Sequence, residues 1–188
     1  MNIAIVHYST GDLKNALYNF DLASELYQEI GDSRSEAFVV NNSGNVYKLL
    51  GLLDRASENY YKALKYFEKD QNKSGIASAL LNLGNIEIEF ENYQKAKKLL
   101  LRAFYLNNEI GDDTKLISVS QNLGVVYSSE KNYDSSYYFF NIARKTSVKL
   151  EAHGGLGMAL ESIGENYFDQ GNYDSAAQYF LQSLKHKT

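Results

Sequence analysis

The strongest constraint on the fold of this chain is a sequence repeat with a period of 40 residues. A glycine recurs at this step as Gly44, Gly84, Gly124 and Gly164. Three further columns keep the same step: Ala16, Ala56, Ala96, Ser136 and Ala176; Phe20, Tyr60, Leu100, Phe140 and Phe180; Ala23, Ala63, Ala103, Ala143 and Ser183. Self-similarity at a fixed period in this range is typical of solenoids, in which each repeat buries its apolar face against its neighbours.

Each repeat is predicted to be a pair of α-helices. Apolar and small residues fall at intervals of three and four, the helical period, along two stretches of the second repeat. The first stretch runs from Ala37 to Leu50 and the second from Leu53 to Phe67, with Gly51 between them. Because so few residues join the two helices, they must fold back on each other as an antiparallel pair.

The recurring glycine lies in the middle of the first helix, where glycine destabilises a helix by about 1 kcal/mol relative to alanine. A cost that recurs in four of the five repeats needs a packing reason. We expect the second helix, with its small residues Ala56 and Ala63, to approach the backbone closely at Gly44.

In these columns the chain resembles the tetratricopeptide repeat (TPR) family. The first helix carries a small residue followed by an aromatic one, a glycine marks the turn, and the second helix carries alanine, aromatic and alanine. The aromatic is Tyr47, Tyr127 and Tyr167, and the turn glycine is Gly11, Gly51 and Gly171. The resemblance covers essentially the whole chain and implies an all-α fold, a right-handed superhelical solenoid of about five antiparallel helix pairs.

The chain departs from the family pattern in composition and in length. Glu87 replaces the aromatic residue of the third repeat, and Glu91 and Lys131 replace the turn glycine. The period also exceeds the usual ~34 residues by about one and a half helical turns. It is similar to the long-helix variant of bacterial TPR regulators and sensor kinases and of LGN/Pins-type scaffolds.

We interpret residues 1–188 as one array. It consists of a truncated first repeat, 1–32, and of repeats 33–72, 73–112, 113–152 and 153–188. The first repeat starts without counterparts of residues 33–40, and Thr188 falls in the phase of Val148, so we expect the chain to be a piece of a longer protein. The glycine-rich stretch Gly154–Gly157 is expected to form a turn at a repeat junction.

Composition opposes several classes of function. The formal net charge is -4 and the pI is near 5.4, whereas a nucleic-acid role needs a basic surface. No run of about 18 apolar residues, the length needed to span a membrane, is present. The chain has no cysteine, which removes disulfides, thiolate nucleophiles and thiolate metal sites but does not reveal the compartment.

No arrangement of residues indicates catalysis. The glycine-rich stretch lacks the Gly-Lys-Ser/Thr ending of a phosphate loop, and the serines lack the strand-turn-helix context of a nucleophile. The junction residues Asp32, Asp112 and Asp113 are expected to cap helices, and the sixteen tyrosines are expected mainly to fill the core. We therefore expect no enzyme activity, no cofactor and no metal site.

One polar column is not explained by packing. Asparagine recurs at the 40-residue step as Asn2, Asn42, Asn82 and Asn122, and Asn45 and Asn85 add a second row. In the family this face lines the concave groove, where asparagines commonly hold the backbone of a bound peptide. An amide carries both donors and acceptors, so such a column can pair with an extended segment. The alternative is that these asparagines bridge neighbouring first helices by hydrogen bonds.

The same face is predicted to become acidic in the last repeat. Gln121 accompanies the asparagine of the fourth repeat, and Glu161, Glu165 and Asp169 fall at every fourth position of the fifth. This strip of carboxylates favours a basic segment of a partner. The lysines and arginine with which some family members grip a peptide C-terminus are not visible.

The sequence therefore predicts a non-catalytic module that binds a peptide or an extended partner segment in its groove. Two alternatives stay open. One is a ligand-sensing segment of a bacterial transcriptional regulator or sensor kinase. The other is a structural spacer that self-associates, as a homodimer or end to end.

Overall fold

The computed structural model of the chain describes residues 1–186, and these residues form ten α-helices and no strand. The helices are α1 (Asn2–Ser9), α2 (Leu13–Glu29), α3 (Ser33–Leu49), α4 (Leu53–Lys69), α5 (Lys73–Glu89), α6 (Tyr93–Ile110), α7 (Asp113–Ser129), α8 (Tyr133–Lys149), α9 (His153–Asp169) and α10 (Tyr173–Leu184). The all-α prediction is confirmed. The last two residues of the predicted fifth repeat, including Thr188, lie outside the described residues.

The chain divides into two compact units within α5. The first runs from Met1 to Ile86 and the second begins at Glu87. In the first unit α2 packs on α1 and α3, and α3 packs on α4. In the second unit each helix from α6 to α10 packs on the next one in the chain. Each unit therefore has the helix-on-helix packing of a repeat solenoid, while the division into five repeats of one array stays a prediction.

Turns with positive φ separate the helices at steps of 20 residues along most of the chain. Glycine supplies this conformation at Gly11, Gly31, Gly51, Gly111 and Gly171, and other residues supply it at Gln71, Glu91, Lys131 and Glu151. A left-handed residue lets the chain leave a helix and reverse, at little cost for glycine but with strain for other residues. Glu91 and Lys131 therefore keep the turn that glycine makes elsewhere.

Aspartates at the helix junctions cap the following helix, as predicted for two of the three. The side chain of Asp32 accepts a hydrogen bond from the backbone N–H of Ser35, and Asp112 accepts one from that of Lys115, both at 3.0 Å. The prediction for Asp113 is wrong, because this residue is already inside α7 and forms an ion pair with Lys149.

In three of its four occurrences, at Gly44, Gly124 and Gly164, the recurring glycine faces an aromatic ring of the second helix. The second helix therefore approaches closely, as expected, but a ring rather than an alanine makes the contact. A Cβ atom built on Gly44 would lie 2.6 Å from Cε1 of Tyr60. Ala56 and Ala63 are buried one turn to either side of this ring. The ring, as the largest group of the column, reaches the backbone of the first helix and leaves no room for a side chain there.

The glycine-rich stretch Gly154–Gly157 is not a turn, because α9 begins at His153 and includes it. The expectation of a junction turn is therefore wrong. A Cβ atom on Gly155 would lie 2.8 Å from Oγ of Ser147. Glycine here permits close approach of α9 to α8. The sequence does not reveal this, because the low helix propensity of glycine favours a turn instead.

The expectation that tyrosine fills the core is also wrong for most of the tyrosines, all of which lie in the described part of the chain. Only Tyr60 is buried. Alanine and aliphatic residues form most of the core instead. The remaining tyrosines are half-buried or exposed, and some of them pack against the edge of the core.

A buried carboxylate joins three helices of the first unit. Glu36 on α3 is 4% exposed and accepts hydrogen bonds from Nε2 of Gln28 on α2 at 2.7 Å and from the hydroxyl of Tyr66 on α4 at 3.2 Å. Nζ of Lys62, also on α4, lies 3.1 Å away. Burial favours the protonated acid, but these hydrogen bonds and the lysine charge outweigh it and hold the pKa of Glu36 below its usual value.

Candidate functional site

A hydrogen-bonded pair of asparagines joins α3 to α5 in the first unit. Oδ1 of Asn45 accepts from Nδ2 of Asn82 at 3.2 Å and from the hydroxyl of Tyr60 at 2.8 Å. Both asparagines are half-buried. The structure thus brings two of the predicted groove residues together, and their bond is a bridge between two first helices.

The other predicted groove residues of the first unit differ in exposure. Asn2 is exposed, whereas Asn42 and Asn85 are half-buried. Beside Asn42, the amide oxygen of Asn41 is buried and has no hydrogen-bond partner within residues 1–186. Buried polar atoms are normally satisfied, so this oxygen is an exception in the core of the first unit.

First helices are bridged in the second unit as well. Nε2 of Gln121 on α7 donates to Oγ of Ser162 on α9 at 2.7 Å, and Ser162 continues the asparagine column one repeat after Asn122. Oε1 of Gln121 is buried without a hydrogen-bond partner in the described part of the chain. Asn122 itself is half-buried.

A cavity of about 240 Å³ opens between α7 and α9. Its wall combines two carboxylates of α9 with hydroxyls of both helices and with apolar surface. The lining residues are Val125, Ser128, Ser129, Phe140, Ser162, Glu165, Asn166 and Asp169. Glu165 and Asp169 are exposed to solvent, so the cavity carries negative charge and remains open to a ligand.

Two of the three carboxylates of the predicted acidic strip meet at this cavity. Glu165 and Asp169 line it, whereas Glu161 is half-buried one turn earlier on α9 and is not among the lining residues. Residues four apart on an α-helix are offset by about 40° around the axis. Three such residues therefore do not all face one cavity.

Sequence reasoning missed Asn166, which anchors the cavity wall. This residue is 2% exposed; its Oδ1 accepts from the hydroxyl of Ser128 and its Nδ2 donates to Oγ of Ser136, both at 2.8 Å. Ser136 in turn donates to the backbone oxygen of Gly124 at 2.7 Å. One signal was present in the sequence. Ser136 stands in a column that has alanine in the other repeats, and Asn166 stands in a column that has apolar residues in the other repeats.

The described side chains do not bring three histidine, aspartate or glutamate residues together in a way that could hold a metal ion. His153, the first residue of α9, and His186, which follows α10, stack on each other with ring centroids 5.7 Å apart. His7 instead lies beside Asp12 at 3.2 Å. Across residues 1–186, none of the helices is long and apolar enough to cross a membrane.

Known proteins share both the sequence pattern and the fold. The sequence profile of the tetratricopeptide repeat family matches residues 1–69, 75–141 and 116–188. Tetratricopeptide repeat protein 21B of Xenopus laevis is 26% identical over 140 residues, which cover 66% of this chain and 11% of that protein. The chain therefore spans about a tenth of the length of this curated relative.

Solved structures of similar fold cover nearly the whole chain. A signal transduction ATPase (STAND protein) with a tetratricopeptide repeat sensor, PH0952 from Pyrococcus horikoshii, superposes with a TM-score of 0.86 at 19% identity, over 99% of this chain and 28% of that one. YrrB, described as a TPR protein with an unusual peptide-binding site, superposes with a TM-score of 0.67 at 21% identity. The match covers 100% of this chain and 84% of that one. These likenesses confirm the helical repeat solenoid.

The paired helices and the open polar face of their first helices define a protein–protein interaction or scaffold module. The chain belongs to the tetratricopeptide repeat family.

Proposed function

We propose that this chain binds an extended, basic segment of a partner protein and does not catalyse a reaction. The segment would lie on the face formed by the first helix of each helix pair. The observation that carries the proposal is the cavity between α7 and α9, where Glu165 and Asp169 stand beside the hydroxyls of Ser128 and Ser162. An ammonium or guanidinium group offers several donors and no acceptor. At this wall it would meet two carboxylates, together with hydroxyl oxygens that can also accept hydrogen bonds.

The apolar part of the same wall suits the rest of a basic side chain. Val125 and Phe140 line the cavity together with the carboxylates. Lysine and arginine bury their aliphatic stems against apolar surface while the charged end meets a polar group. Charge-assisted hydrogen bonds are about twice as strong as neutral ones, so a lysine or arginine is the expected anchor.

In the first unit the proposed contacts are amides. Asn45 and Asn82 already bond to each other, but an asparagine side chain has two N–H donors and an oxygen with two lone pairs. The oxygen of Asn45 already accepts two hydrogen bonds, from Asn82 and Tyr60. The groups proposed to meet a bound backbone are therefore the N–H donors of Asn45 and the side-chain oxygen of Asn82. The proposed binding residues are Asn2, Asn42, Asn45, Asn82 and Asn85 in the first unit and Gln121, Asn122, Glu161, Glu165 and Asp169 in the second.

A peptide-display selection tests this proposal even while the partner is unidentified. Random peptides are selected on the purified chain, on a Glu165→Lys/Asp169→Lys variant and on a Glu58→Lys control, whose position is exposed on α4. Enriched peptides should share a lysine or arginine at a fixed position and should bind the control but not the double variant. Peptides without a conserved cation, or equal capture by the double variant, would overturn the proposal.

A sensory role is a second candidate, favoured by the likeness to PH0952, whose tetratricopeptide repeats are described as a sensor. In that role the same face would bind a ligand and pass a change in helix packing to an effector. Hydrogen exchange with and without an enriched peptide distinguishes the two functions. Protection limited to α7 and α9 fits a simple binding module, whereas changed exchange throughout the chain fits a sensor.

Self-association is the remaining alternative, and exposed apolar residues of the first unit favour it. Ile3 and Val6 of α1 and Leu26 of α2 are each more than half exposed, and contiguous exposed apolar surface commonly marks an association site. Sedimentation equilibrium tests it. Ile3→Lys/Leu26→Lys should abolish any dimer, and a wild-type chain that stays monomeric at high concentration would exclude it.

A further inference from the structure

A second cavity of the second unit lies between α8 and α9, near the end of α9. Its volume is about 190 Å³, and three tyrosines and one carboxylate contribute to its wall. The lining residues are Tyr133, Asp134, Tyr137, Asn166, Tyr167 and Gln170. The proposed function leaves this cavity unused.

Two of the three rings of this cavity, Tyr137 and Tyr167, are held by contacts with other tyrosines. Tyr167 stacks on Tyr179 with centroids 5.5 Å apart, and the Tyr137 ring meets Tyr167 at 68° with centroids 6.3 Å apart. Burial, together with a hydrogen bond to Tyr137, raises the pKa of Tyr179 to about 12. Because these contacts already order Tyr137 and Tyr167, the two rings need little reordering to bind a ligand.

The corresponding place one repeat earlier in the same unit already contains a cation. There Lys97 occupies the position of Tyr137, and Tyr127 that of Tyr167. Nζ of Lys97 lies 5.3 Å from the ring centroid of Tyr127 and 2.7 Å from a carboxylate oxygen of Glu130. The repeat geometry thus accommodates an ammonium group over this tyrosine, with a carboxylate as its counter-ion.

The first unit places a cation over the same tyrosine column. Cζ of Arg55 lies 5.7 Å from the ring centroid of Tyr47, the counterpart of Tyr127 and Tyr167. In the last repeat the tyrosine has other tyrosines as neighbours and a cavity beside it, with Asp134 as the carboxylate in the wall. The nearby Arg144 is held by Oδ1 of Asn141 at 2.9 Å and does not line the cavity.

We propose that the cavity between α8 and α9 binds the ammonium group of a small organic cation beside Tyr167, as Lys97 places its own ammonium group beside Tyr127 one repeat earlier. The rings attract the cation through the negative potential of their faces, and Asp134 neutralises it. The cation can belong to a free quaternary ammonium compound or to a lysine or methyl-lysine side chain. The site shares one lining residue, Asn166, with the cavity between α7 and α9. Neither set of test variants changes Asn166, so either proposal can fail without the other.

Calorimetric titration of the full chain with choline tests the site, with dimethylbutanol, the uncharged carbon isostere of choline, as the reference ligand. We expect saturable binding of choline and none of the alcohol. A trimethyl-lysine peptide and an unmodified lysine peptide form a second arm. Because a lysine peptide can also bind the cavity between α7 and α9, choline and both peptides are compared on the Glu165→Lys/Asp169→Lys variant. Tighter binding of either peptide than of choline there identifies a protein source, and the reverse identifies a small molecule.

Matched variants locate the binding. Tyr133→Leu should weaken it about two- to thirty-fold, the range of one cation–π contact, whereas Tyr93→Leu at the same position one repeat earlier should not. Tyr137→Lys, which reproduces Lys97, should abolish binding by supplying an internal cation, whereas Tyr138→Lys should have no effect. Circular dichroism checks that each variant is folded. Asp134→Asn, which removes the charge that neutralises the cation, should also weaken choline binding. No saturable choline binding, equal binding of the alcohol, or unchanged binding by folded Tyr137→Lys would overturn the proposal.

Discussion

The ring of Phe140 occupies the space into which any side chain on Gly124 would project: a Cβ atom built on Gly124 would lie 2.3 Å from Cδ1 and Cε1 of that ring. Gly124→Ala should therefore destabilise the chain by about 1–3 kcal/mol, the usual cost of overpacking. Gly154→Ala is the matched control, because nothing lies within 4 Å of its Cβ position. Urea unfolding measures both.

A double substitution shows whether the ring causes this loss. The third repeat has Leu100 at the position of Phe140, so Phe140→Leu introduces a residue that the column already tolerates. If ring contact is the cause, Gly124→Ala should cost less in the Phe140→Leu background than in the wild type. If the losses of stability caused by the two substitutions simply add, a neighbour other than Phe140 excludes the methyl group of the alanine.

Lys131 is a turn residue with a φ of 57°, where the other turns often have glycine. A left-handed conformation costs a non-glycine residue about 1–2 kcal/mol, which the greater freedom of glycine in the unfolded state partly offsets. Lys131→Gly should raise the free energy of unfolding by up to about 1 kcal/mol. Gly51→Ala, at φ 72°, should lower it, and a loss of stability in Lys131→Gly would contradict the turn assignment.

The ionisation of Glu36 should make stability depend on pH. Because its pKa is lowered from 4.5 on folding, the ionised group stabilises the folded state above pH 4.5, and this contribution is lost as the pH falls through the folded-state pKa. Glu36→Gln should cost about 1–3 kcal/mol at neutral pH and less in acid. Thermal unfolding from pH 7 to pH 3 measures this, with the exposed Glu58→Gln as control. A cost independent of pH would show that shape, rather than charge, matters at this position.

Asn82→Ala separates bridging from peptide binding. Asn45 keeps its bond from Tyr60, so the loss of one hydrogen bond should cost no more than about 1.5 kcal/mol, partly offset by the better helix propensity of alanine. Affinity for an enriched peptide should fall as well. A variant that melts earlier yet binds the peptide normally would assign Asn82 to bridging alone.

The pairing of helices was predictable because it follows from two patterns that can be read directly along the sequence. These are the 40-residue period and the three- and four-residue spacing of apolar residues. The contact of Gly44 with Tyr60 was not, because the sequence shows small and aromatic residues in the facing helix but not which one reaches the glycine. Similarly, spacing identified Glu165 and Asp169 as neighbours but could not reveal that Glu161 is left out of their cavity.

Hydrogen bonds between repeats were the least predictable feature of the site. The partner of Asn82 could have been any polar group on an adjacent helix, and only coordinates identify it as Asn45. The role of Asn166 in the cavity wall was not predictable, because a single polar residue in an apolar column looks like an isolated substitution. Its meaning depends on Ser128 and Ser136, which are close in space and distant in sequence.

The central claim, that Glu165 and Asp169 select a basic segment, is tested most directly by calorimetric titration of an enriched peptide into the wild type and the Glu165→Gln/Asp169→Asn variant at low and high salt. Removing both charges should weaken binding at least about ten-fold, since 1.4 kcal/mol is a factor of ten and one hydrogen bond to a charged group contributes about that much or more. The salt dependence should largely disappear as well. Unchanged affinity and salt dependence in the folded double variant would contradict the claim.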